Sequence, residues 1–147
     1  SGNLFRKIHD GMTYYVNGVV GYVDVFDLVD AMKALMESRI TNENYILVSE
    51  NLSFKDFQYK VANSLKVDPP KKVAKPWLLN MAWRLDWLRH KITGSRRNFS
   101  KHTAKSAIST TKYDNSKIKD ALGFQFKPIE QSIKEICELY RKDLKNI

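Results

Sequence analysis

The sequence has little of what marks secreted or membrane-spanning proteins. Its 147 residues include a single cysteine, Cys137, so no disulfide can form within the chain. A lone cysteine is typical of proteins from a reducing compartment, and we therefore expect a cytoplasmic protein. No stretch reaches the roughly 18 uninterrupted apolar residues of a membrane-spanning helix, so we expect no transmembrane segment.

Residues with the spacing of a metal site are also scarce. His9, His90 and His102 do not show such spacing among themselves or with Cys137, whereas the ligands of a structural zinc usually recur within a few residues. We therefore predict no metal ligand. The histidines are expected at the surface or packed against neighbours, and Cys137 in the core or at its boundary.

The sequence is rich instead in basic charge and has enough apolar residues for a core. Lysine and arginine number 25 against 16 acidic residues, which gives a net charge of +9. Hydrophobic residues make up 43% of the chain, which argues against intrinsic disorder. The length fits one domain over 1–147, and the positive charge attracts anionic substrates or polyanions without choosing between them.

Hydrophobic periodicity and turn signals predict an α+β fold, a helix-rich single domain with a small sheet. The second helix is expected to begin with Asp27 as its N-cap and to bury Leu28, Ala31, Leu35 and Met36. The last helix is expected to begin at Pro128 and to bury Ile129, Ile133, Ile136 and Tyr140. We predict strands over 13–16, 19–25 and 45–48, and the other helices over 3–10, 53–68, 76–92, about 101–108 and 116–122.

Three stretches, taken in order, follow the pattern of a known family. Residues 21–31 (GYVDVFDLVDA) are similar to a strand-into-helix segment with the pattern V-D-V-R-D-V-A. Residues 45–53 (YILVSENLS) resemble the strand that follows it and its helix-opening serine. Residues 114–124 (DNSKIKDALGF), followed by Pro128, look like the ending D-x-S-K-x-x-x-x-L-G-[WF]-x-P. The chain thus resembles the C-terminal part of extended short-chain dehydrogenase/reductases, nearest to the dihydroflavonol-reductase-like and nucleoside-diphosphate-sugar epimerase-like branches.

The resemblance implies the C-terminal substrate domain of a Rossmann-type NAD-dependent epimerase/dehydratase or reductase. In that family a glycine-rich turn lets the backbone approach the pyrophosphate of the dinucleotide. The glycines at 2, 11, 18, 21, 94 and 123 form no such turn. We therefore expect no cofactor, no catalytic residue and no activity in this chain alone. NAD or NADP would be bound by an N-terminal Rossmann domain of the same polypeptide, with a small molecule as substrate.

One pair of residues matches the spacing of the family's catalytic Y-x-x-x-K motif. Tyr113 and Lys117 are four positions apart, but Asp114, Asn115 and Ser116 lie between them. These three residue types favour the start of a helix over its interior. We therefore predict that Tyr113 precedes the helix and that the match is accidental.

Substrate-binding residues are predicted at two places. Phe26 stands where the family usually has arginine, and it is expected to line an apolar substrate pocket or to pack. Ser95, Arg96 and Arg97 lie in the region that closes over the substrate in the family. They are candidates to contact an anionic or hydroxylated substrate, because the planar guanidinium group of arginine suits phosphate and carboxylate.

Residues 77–105 combine tryptophan with basic residues and leave three interpretations open. The tryptophans belong to the core, or the segment closes over the substrate, or it forms an independent basic module. Such a module would bind nucleic acid or an anionic membrane surface, although nucleic acid is not the expected partner. The apolar arc of the 76–92 helix is too wide for a free surface helix, so we expect it to pack against another part of the protein.

Overall fold

The computed structural model describes residues 2–96 and 100–145. The helix-rich α+β prediction is confirmed within these ranges. The strands are β1 (Tyr14–Tyr15), β2 (Val19–Tyr22), β3 (Glu50–Ser53) and β4 (Lys72–Val73). The helices are α1 (Gly2–His9), α2 (Val25–Glu37), α3 (Phe54–Leu65), α4 (Pro76–Thr93), α5 (Lys101–Ser106), α6 (Ser116–Leu122) and α7 (Ile129–Lys145).

The strands of the described residues form two small sheets rather than one. β1 runs parallel to β4, with Tyr14 opposite Lys72. β2 runs antiparallel to β3, with Val19 opposite Ser53 and Tyr22 opposite Glu50. The two sheets each have two strands, so they contribute little to the core by themselves.

The predicted strand over 45–48 is wrong. These residues are irregular, and the strand that pairs with β2 begins two residues later, at Glu50. Val48 is buried, but its carbonyl oxygen accepts a hydrogen bond from the Asn115 side chain at 2.6 Å rather than from a strand. The apolar run therefore indicated burial correctly at Val48 but not at Ile46, which is 50% exposed, and the ladder is formed by the more polar residues that follow it.

The main core lies where α1, α3 and α7 meet the β2–β3 sheet. Ile133 and Cys137 of α7 are almost fully buried there, which confirms the prediction for Cys137. Ile136 was expected to face the core, yet it is 42% exposed. The buried positions of α7 repeat every four residues, and Ile136 falls beside that line. The main core comprises Phe5, Ile8, Phe57, Val61, Ala62, Leu65, Ile129, Ile133 and Cys137.

The second helix differs from its prediction in its cap and in its buried face. α2 begins at Val25, because the Asp24 carboxylate, not that of Asp27, caps it by accepting the amide N–H of Phe26 at 2.8 Å. Ala31 is fully buried, but Met36 is 85% exposed. Val25, Val29, Met32 and Met36 recur at helical spacing and form an exposed apolar stripe, called the α2 stripe below.

Helices with strong local end signals follow the sequence closely. Ser53 caps α3 by accepting the amide of Asp56 at 3.0 Å, and its hydroxyl donates to the Asp56 carboxylate. Gly94 and Gly123 end α4 and α6 with φ of 66° and 63°, a backbone region that glycine adopts without strain. These are the ends at which the sequence places a capping serine or a glycine.

Residues 71–96 and 100–105 form a separate lobe around a small second cluster of Ala74, Leu79 and Ala104. Both ends of this basic lobe are attached by backbone hydrogen bonds to residues 13–19. Before α4, the Lys72 amide donates to Thr13 and the Ala74 amide to Tyr15, at 3.0 and 2.7 Å. After α5, the Gly18 amide donates to Ala107 and the Val19 amide to Ser109, at 3.0 and 2.9 Å.

Candidate functional site

An apolar cavity of about 360 Å³ lies between α1, α7 and the stretch that joins β2 to α2. Aromatic rings form much of its wall, and three residues, Asp24, Ser132 and Glu135, supply polar groups. A concave, mostly apolar site with a few polar groups is the usual form of a small-molecule site. The aromatic residues of the wall are Phe5, Tyr22, Phe26, Phe54 and Phe57.

Tyr22 is one of the aromatic residues that line this cavity. Its ring stacks on Phe57, with 4.3 Å between the ring centres, and this holds the side chain in place. The Tyr22 hydroxyl is buried, and no partner for it occurs among the described residues. Burial raises the pKa of Tyr22 to about 12, so the hydroxyl keeps its proton at neutral pH. Leaving a buried hydroxyl unpaired costs roughly 1–3 kcal/mol.

A charged cluster at the cavity wall centres on Lys127. Its ammonium group lies 2.8 Å from the Glu135 carboxylate and 3.7 Å from that of Asp24. Its backbone amide donates to Asp27 at 2.7 Å, which ties the start of α7 to α2. Hydrogen bonding to Glu135 raises the pKa of Lys127, so its ammonium group stays charged and is shared between the two carboxylates.

Asp24 stays charged although it is only 8% exposed. Burial by itself would raise the pKa of this carboxyl group. The Ser132 hydroxyl, the Phe26 amide and the Lys127 ammonium outweigh that effect and lower its pKa. Asp24 therefore acts as a helix cap and as the anionic partner of Lys127, whereas Asp27, the expected cap, lies within the first turn of α2.

Phe26 lies in the cavity wall and is 66% exposed. The Lys127 ammonium lies 5.8 Å from the centre of its ring, within the range of a cation–π contact. The exposed ring is therefore available to a molecule in the cavity. Contact between Phe26 and substrate stays a prediction.

The second group of predicted substrate residues lies elsewhere. Ser95 and Arg96 follow the end of α4, where the His90 ring nitrogen donates to the Ser95 carbonyl oxygen at 2.6 Å. Neither is among the residues that line the cavity in the described part of the chain. Arg97 lies outside the described residues. The structure therefore does not bring Phe26 together with Ser95 and Arg96, and their contact with substrate stays a prediction.

Tyr113 and Lys117 do not lie one turn apart on a helix. α6 begins at Ser116, so Tyr113 precedes the helix as predicted, and its backbone bonds to the Asn51 side chain. The Lys117 ammonium instead contacts the Glu43 carboxylate at 2.6 Å. That hydrogen bond raises the pKa of Lys117.

The tryptophans of the basic lobe are largely outside the core. Trp77 is 61% exposed and Trp87 is 44% exposed, while Trp83 is half-buried against the second cluster. The interpretation of these tryptophans as core residues is therefore wrong for Trp77 and Trp87. α4 has too few neighbours within the described residues to cover its wide apolar surface.

Sequence comparison gives no family. No protein-family model matches the chain, and no curated protein sequence matches it.

Solved structures do share the fold. The structure of gox2253 aligns with 97% of this chain at a TM-score of 0.73 and 20% identity. A triphenylmethane reductase from a Citrobacter species aligns with 92% at a TM-score of 0.62 and 14% identity. RMD from Pseudomonas aeruginosa, solved as a complex with NADPH, aligns with 92% at a TM-score of 0.56 and 13% identity. At these identities the likeness establishes the fold.

The chain spans less than half the length of these neighbours. It covers 43% of gox2253, 39% of RMD and 47% of the triphenylmethane reductase. The region that matches is nearly the whole of this chain in each case, so the shared fold is one part of a larger architecture in those proteins.

Sequence reasoning missed Tyr22 and Ser132 as residues of the cavity and Lys127 as the centre of the charged cluster beside it. Ser132 lies beside Ile129 and Ile133 on the inner side of α7, and a serine inside an apolar stripe signals a polar group facing the interior. Lys127 immediately precedes Pro128, which opens α7, but its sequence neighbours say nothing of α2, a hundred residues earlier. Tyr22 looks like any strand aromatic until Phe57 is placed against it.

Proposed function

We propose that this chain is the substrate-binding part of an NAD(P)-dependent reductase or epimerase. The observation that carries the proposal is the fold shared with proteins at least twice as long, one named as a reductase and another solved with NADPH. The three motifs over residues 21–31, 45–53 and 114–128 support it, because they occur in the order expected of an extended short-chain dehydrogenase/reductase. The dinucleotide would be bound by another part of the same polypeptide.

The substrate is proposed to occupy the cavity beside Phe26. Its aromatic and aliphatic wall fits an apolar or ring-shaped body, and the Tyr22 hydroxyl offers one hydrogen bond to an acceptor atom. Lys127 is already held by Asp24 and Glu135, and together these three groups carry one excess negative charge, so the cavity disfavours an anionic group. Its mostly apolar wall in turn favours an uncharged one. The proposed substrate is therefore a neutral carbonyl or hydroxyl compound at the end that enters this cavity.

The dinucleotide-binding part is proposed to pack on the α2 stripe. Val25, Val29, Met32 and Met36 are between 53% and 85% exposed although they form a continuous apolar face. The fold neighbours have more than half of their length outside the matched region, which supplies the mass needed to cover such a face. Covering an exposed apolar stripe of this kind is favourable at about 25 cal/mol per Å² of apolar surface removed from water.

Cofactor titration of two proteins tests the proposal. Residues 1–147 and the complete polypeptide encoded by the same reading frame are titrated with NADH and NADPH, and nicotinamide fluorescence is recorded. We expect binding to the complete polypeptide and none to residues 1–147, since the glycine-rich turn is missing from the latter. The upstream sequence should contain that turn and a helical Y-x-x-x-K motif.

Two results would contradict the proposal. One is tight binding of either nicotinamide to residues 1–147 alone. The other is a reading frame with no glycine-rich turn and no Y-x-x-x-K motif before residue 1. A Tyr22→Phe variant of the complete polypeptide then tests the cavity. With a reducible carbonyl substrate it should raise KM by roughly tenfold with little change in NADPH affinity, since one hydrogen bond to substrate is lost.

A further inference from the structure

The exposed face of α4 carries a second apolar stripe, distinct from the α2 stripe. Its members are Trp77, Met81, Leu85, Leu88 and Ile92, which are 61%, 47%, 57%, 46% and 74% exposed. At 100° per residue these positions fall within an arc of about 80° on one side of the helix. The opposite side holds Leu79, which is buried against the second cluster. The stripe, called the α4 stripe below, is therefore uncovered within the described residues.

Basic side chains flank the α4 stripe on both sides. Arg84 and Lys91 lie along one edge, and Arg89 lies along the other, by the same helical geometry. The Lys91 ammonium lies 5.3 Å from the Trp87 ring and the Arg84 guanidinium lies 5.7 Å from the Trp83 ring. Long basic side chains beside an apolar face can keep their charges at the level of polar groups while the face is buried.

All of the chain's excess positive charge is confined to this lobe. Ten of the 25 basic residues and only one of the 16 acidic residues fall within 71–105. The rest of the chain is left with fifteen of each and has no net charge. All three tryptophans also lie in this segment. An exposed apolar stripe, tryptophan and clustered basic charge thus coincide on one lobe.

We propose that α4 lies along an anionic phospholipid surface. The α4 stripe would enter the boundary between headgroups and acyl chains, and the flanking lysines and arginines would contact lipid phosphates. Helices that lie in a membrane interface combine these features, an apolar face with tryptophan and a basic polar face. No helix in the described part of the chain is long and apolar enough to cross a bilayer. The inference does not depend on the proposed enzymatic role.

Charge and chemistry favour lipid over the other occupants of this face. A nucleic acid would contact the basic and aromatic residues, but it would leave the apolar side chains of Met81, Leu85 and Ile92 without a partner. A second copy would bring two lobes of strong positive charge together. Interfaces between protein parts are depleted in lysine, whereas the basic lobe contains six lysines, at positions 71, 72, 75, 91, 101 and 105.

Vesicle flotation measures the binding directly. The purified chain, and the complete polypeptide in parallel, is mixed with vesicles of phosphatidylcholine alone or with about 30% phosphatidylserine, a strongly anionic surface. We expect binding to the phosphatidylserine vesicles and little to phosphatidylcholine. For residues 1–147 the tryptophan emission should shift to shorter wavelength on binding, because every tryptophan of that chain is in the lobe.

Two matched pairs of variants distinguish the contribution of apolar insertion to vesicle binding from that of electrostatic attraction. Leu85→Ser should weaken vesicle binding roughly tenfold, as expected for one leucine withdrawn from lipid, whereas Ile46→Ser, at a similarly exposed position outside the lobe, should not. Arg84→Gln with Lys91→Gln should weaken it at least tenfold, since each basic residue contributes about one kcal/mol at an anionic surface. Lys33→Gln with Lys142→Gln lowers the net charge equally and should have a much smaller effect.

The outcomes decide between lipid and its rivals. The proposal is overturned by equal binding to both vesicle types, or by Leu85→Ser binding as tightly as the parent chain. It is also overturned if the two charge-matched double variants lose binding equally. Tighter binding to duplex DNA or RNA than to vesicles would identify a nucleic-acid surface. A dimer that Leu85→Ser converts to monomer would identify a second copy. Thermal melts by circular dichroism confirm that each variant is folded before it is scored.

Discussion

The two long helices α4 and α7 are similar in length, but α7 packs into the main core whereas α4 is largely exposed. α7 turns Ile129, Ile133 and Cys137 into the main core, where each is at most 3% exposed. α4 buries Leu79 and leaves most of its large apolar side chains open to solvent. Apolar content is therefore a poor guide to burial when a helix has few neighbours. The difference separates the residues that hold the fold together from those available to bind something else.

The charge distribution divides the molecule in the same way. Outside the basic lobe, positive and negative groups are equal in number, and several are paired at the seams between elements, as Lys60 is with Glu130 at 3.0 Å. The lobe, in contrast, contains ten basic residues and one acidic residue. The main core and the proposed membrane contact thus lie in different parts of the chain, and the following substitutions test that separation.

Truncation in the main core should have the largest effect. Ile133→Ala is expected to lower the free energy of unfolding by about 2–5 kcal/mol, because it removes buried contacts and leaves a cavity. Leu85→Ala on the α4 stripe removes a similar side chain that is already exposed, and should cost under about 0.5 kcal/mol. Urea denaturation of both variants measures the difference. Equal losses would mean that the α4 stripe is packed after all.

The second-largest effect on stability is expected at Gly18, where the basic lobe is attached to the rest of the fold. A Cβ atom at Gly18 would lie 2.6 Å from the Ala107 carbonyl oxygen, and backbone cannot easily move away. Gly18→Ala should therefore destabilise the protein by about 1–3 kcal/mol and loosen the attachment of the basic lobe. Gly2→Ala, where the new methyl group meets nothing within 4 Å, is the control. Hydrogen exchange of residues 71–111 should accelerate in the first variant alone.

Loss of a helix cap should have a smaller effect on stability. Ser53→Ala removes the hydroxyl that caps α3 and should cost about 0.5–2 kcal/mol. Lys75 occupies the corresponding position before α4 but makes no side-chain capping bond, so Lys75→Ala should change stability very little. Thermal unfolding followed by circular dichroism compares the two. A larger loss for Lys75→Ala would show that α4 depends on that residue in another way.

The smallest effect concerns acid stability. Since the pKa of Asp24 is lower in the folded than in the unfolded chain, its contribution is fully present above the unfolded value, near 3.9, and is lost as pH falls through the folded value. Asp24→Asn keeps a capping side chain but loses the charge, worth about 0.3–1 kcal/mol at a helix N-terminus.

Unfolding free energy should therefore decline less between pH 7 and pH 3 in Asp24→Asn than in the parent chain. Asp30→Asn, an exposed change on the same helix, is the matched control and should follow the parent. A parallel decline in Asp24→Asn would show that this carboxylate does not contribute to acid sensitivity.

Local signals explain which parts of the fold are predictable from the sequence. Ser53, Gly94 and Gly123 each act on their own helix end, so α3 begins, and α4 and α6 end, where the pattern indicates. The partner of β2 could not be chosen from local pattern, because the apolar residues 45–48 look more like a strand than Glu50–Ser53 does. Pairing depends on which backbone groups meet across the fold, and on Asn115 satisfying the carbonyl of Val48.

The candidate site was harder to predict from the sequence than the fold, because it depends on contacts between distant residues. Phe26 could be selected because it departs from the pattern of a family that the chain resembles. The groups that define its surroundings come from distant positions, since Lys127 reaches Asp27 across one hundred residues. The stacking of Tyr22 on Phe57 depends likewise on the packing of β2 against α3. Periodicity reports which face is apolar, but not what covers it.

The attachment of the basic lobe has a consequence for how this protein can change. The lobe leaves and rejoins the rest of the fold at backbone positions within residues 13–19, so its two ends are held at neighbouring points. A segment with adjacent ends can be lengthened, shortened or exchanged at small cost in chain entropy. The whole lobe can therefore be replaced by a different segment, which would give related chains different surfaces on the same core.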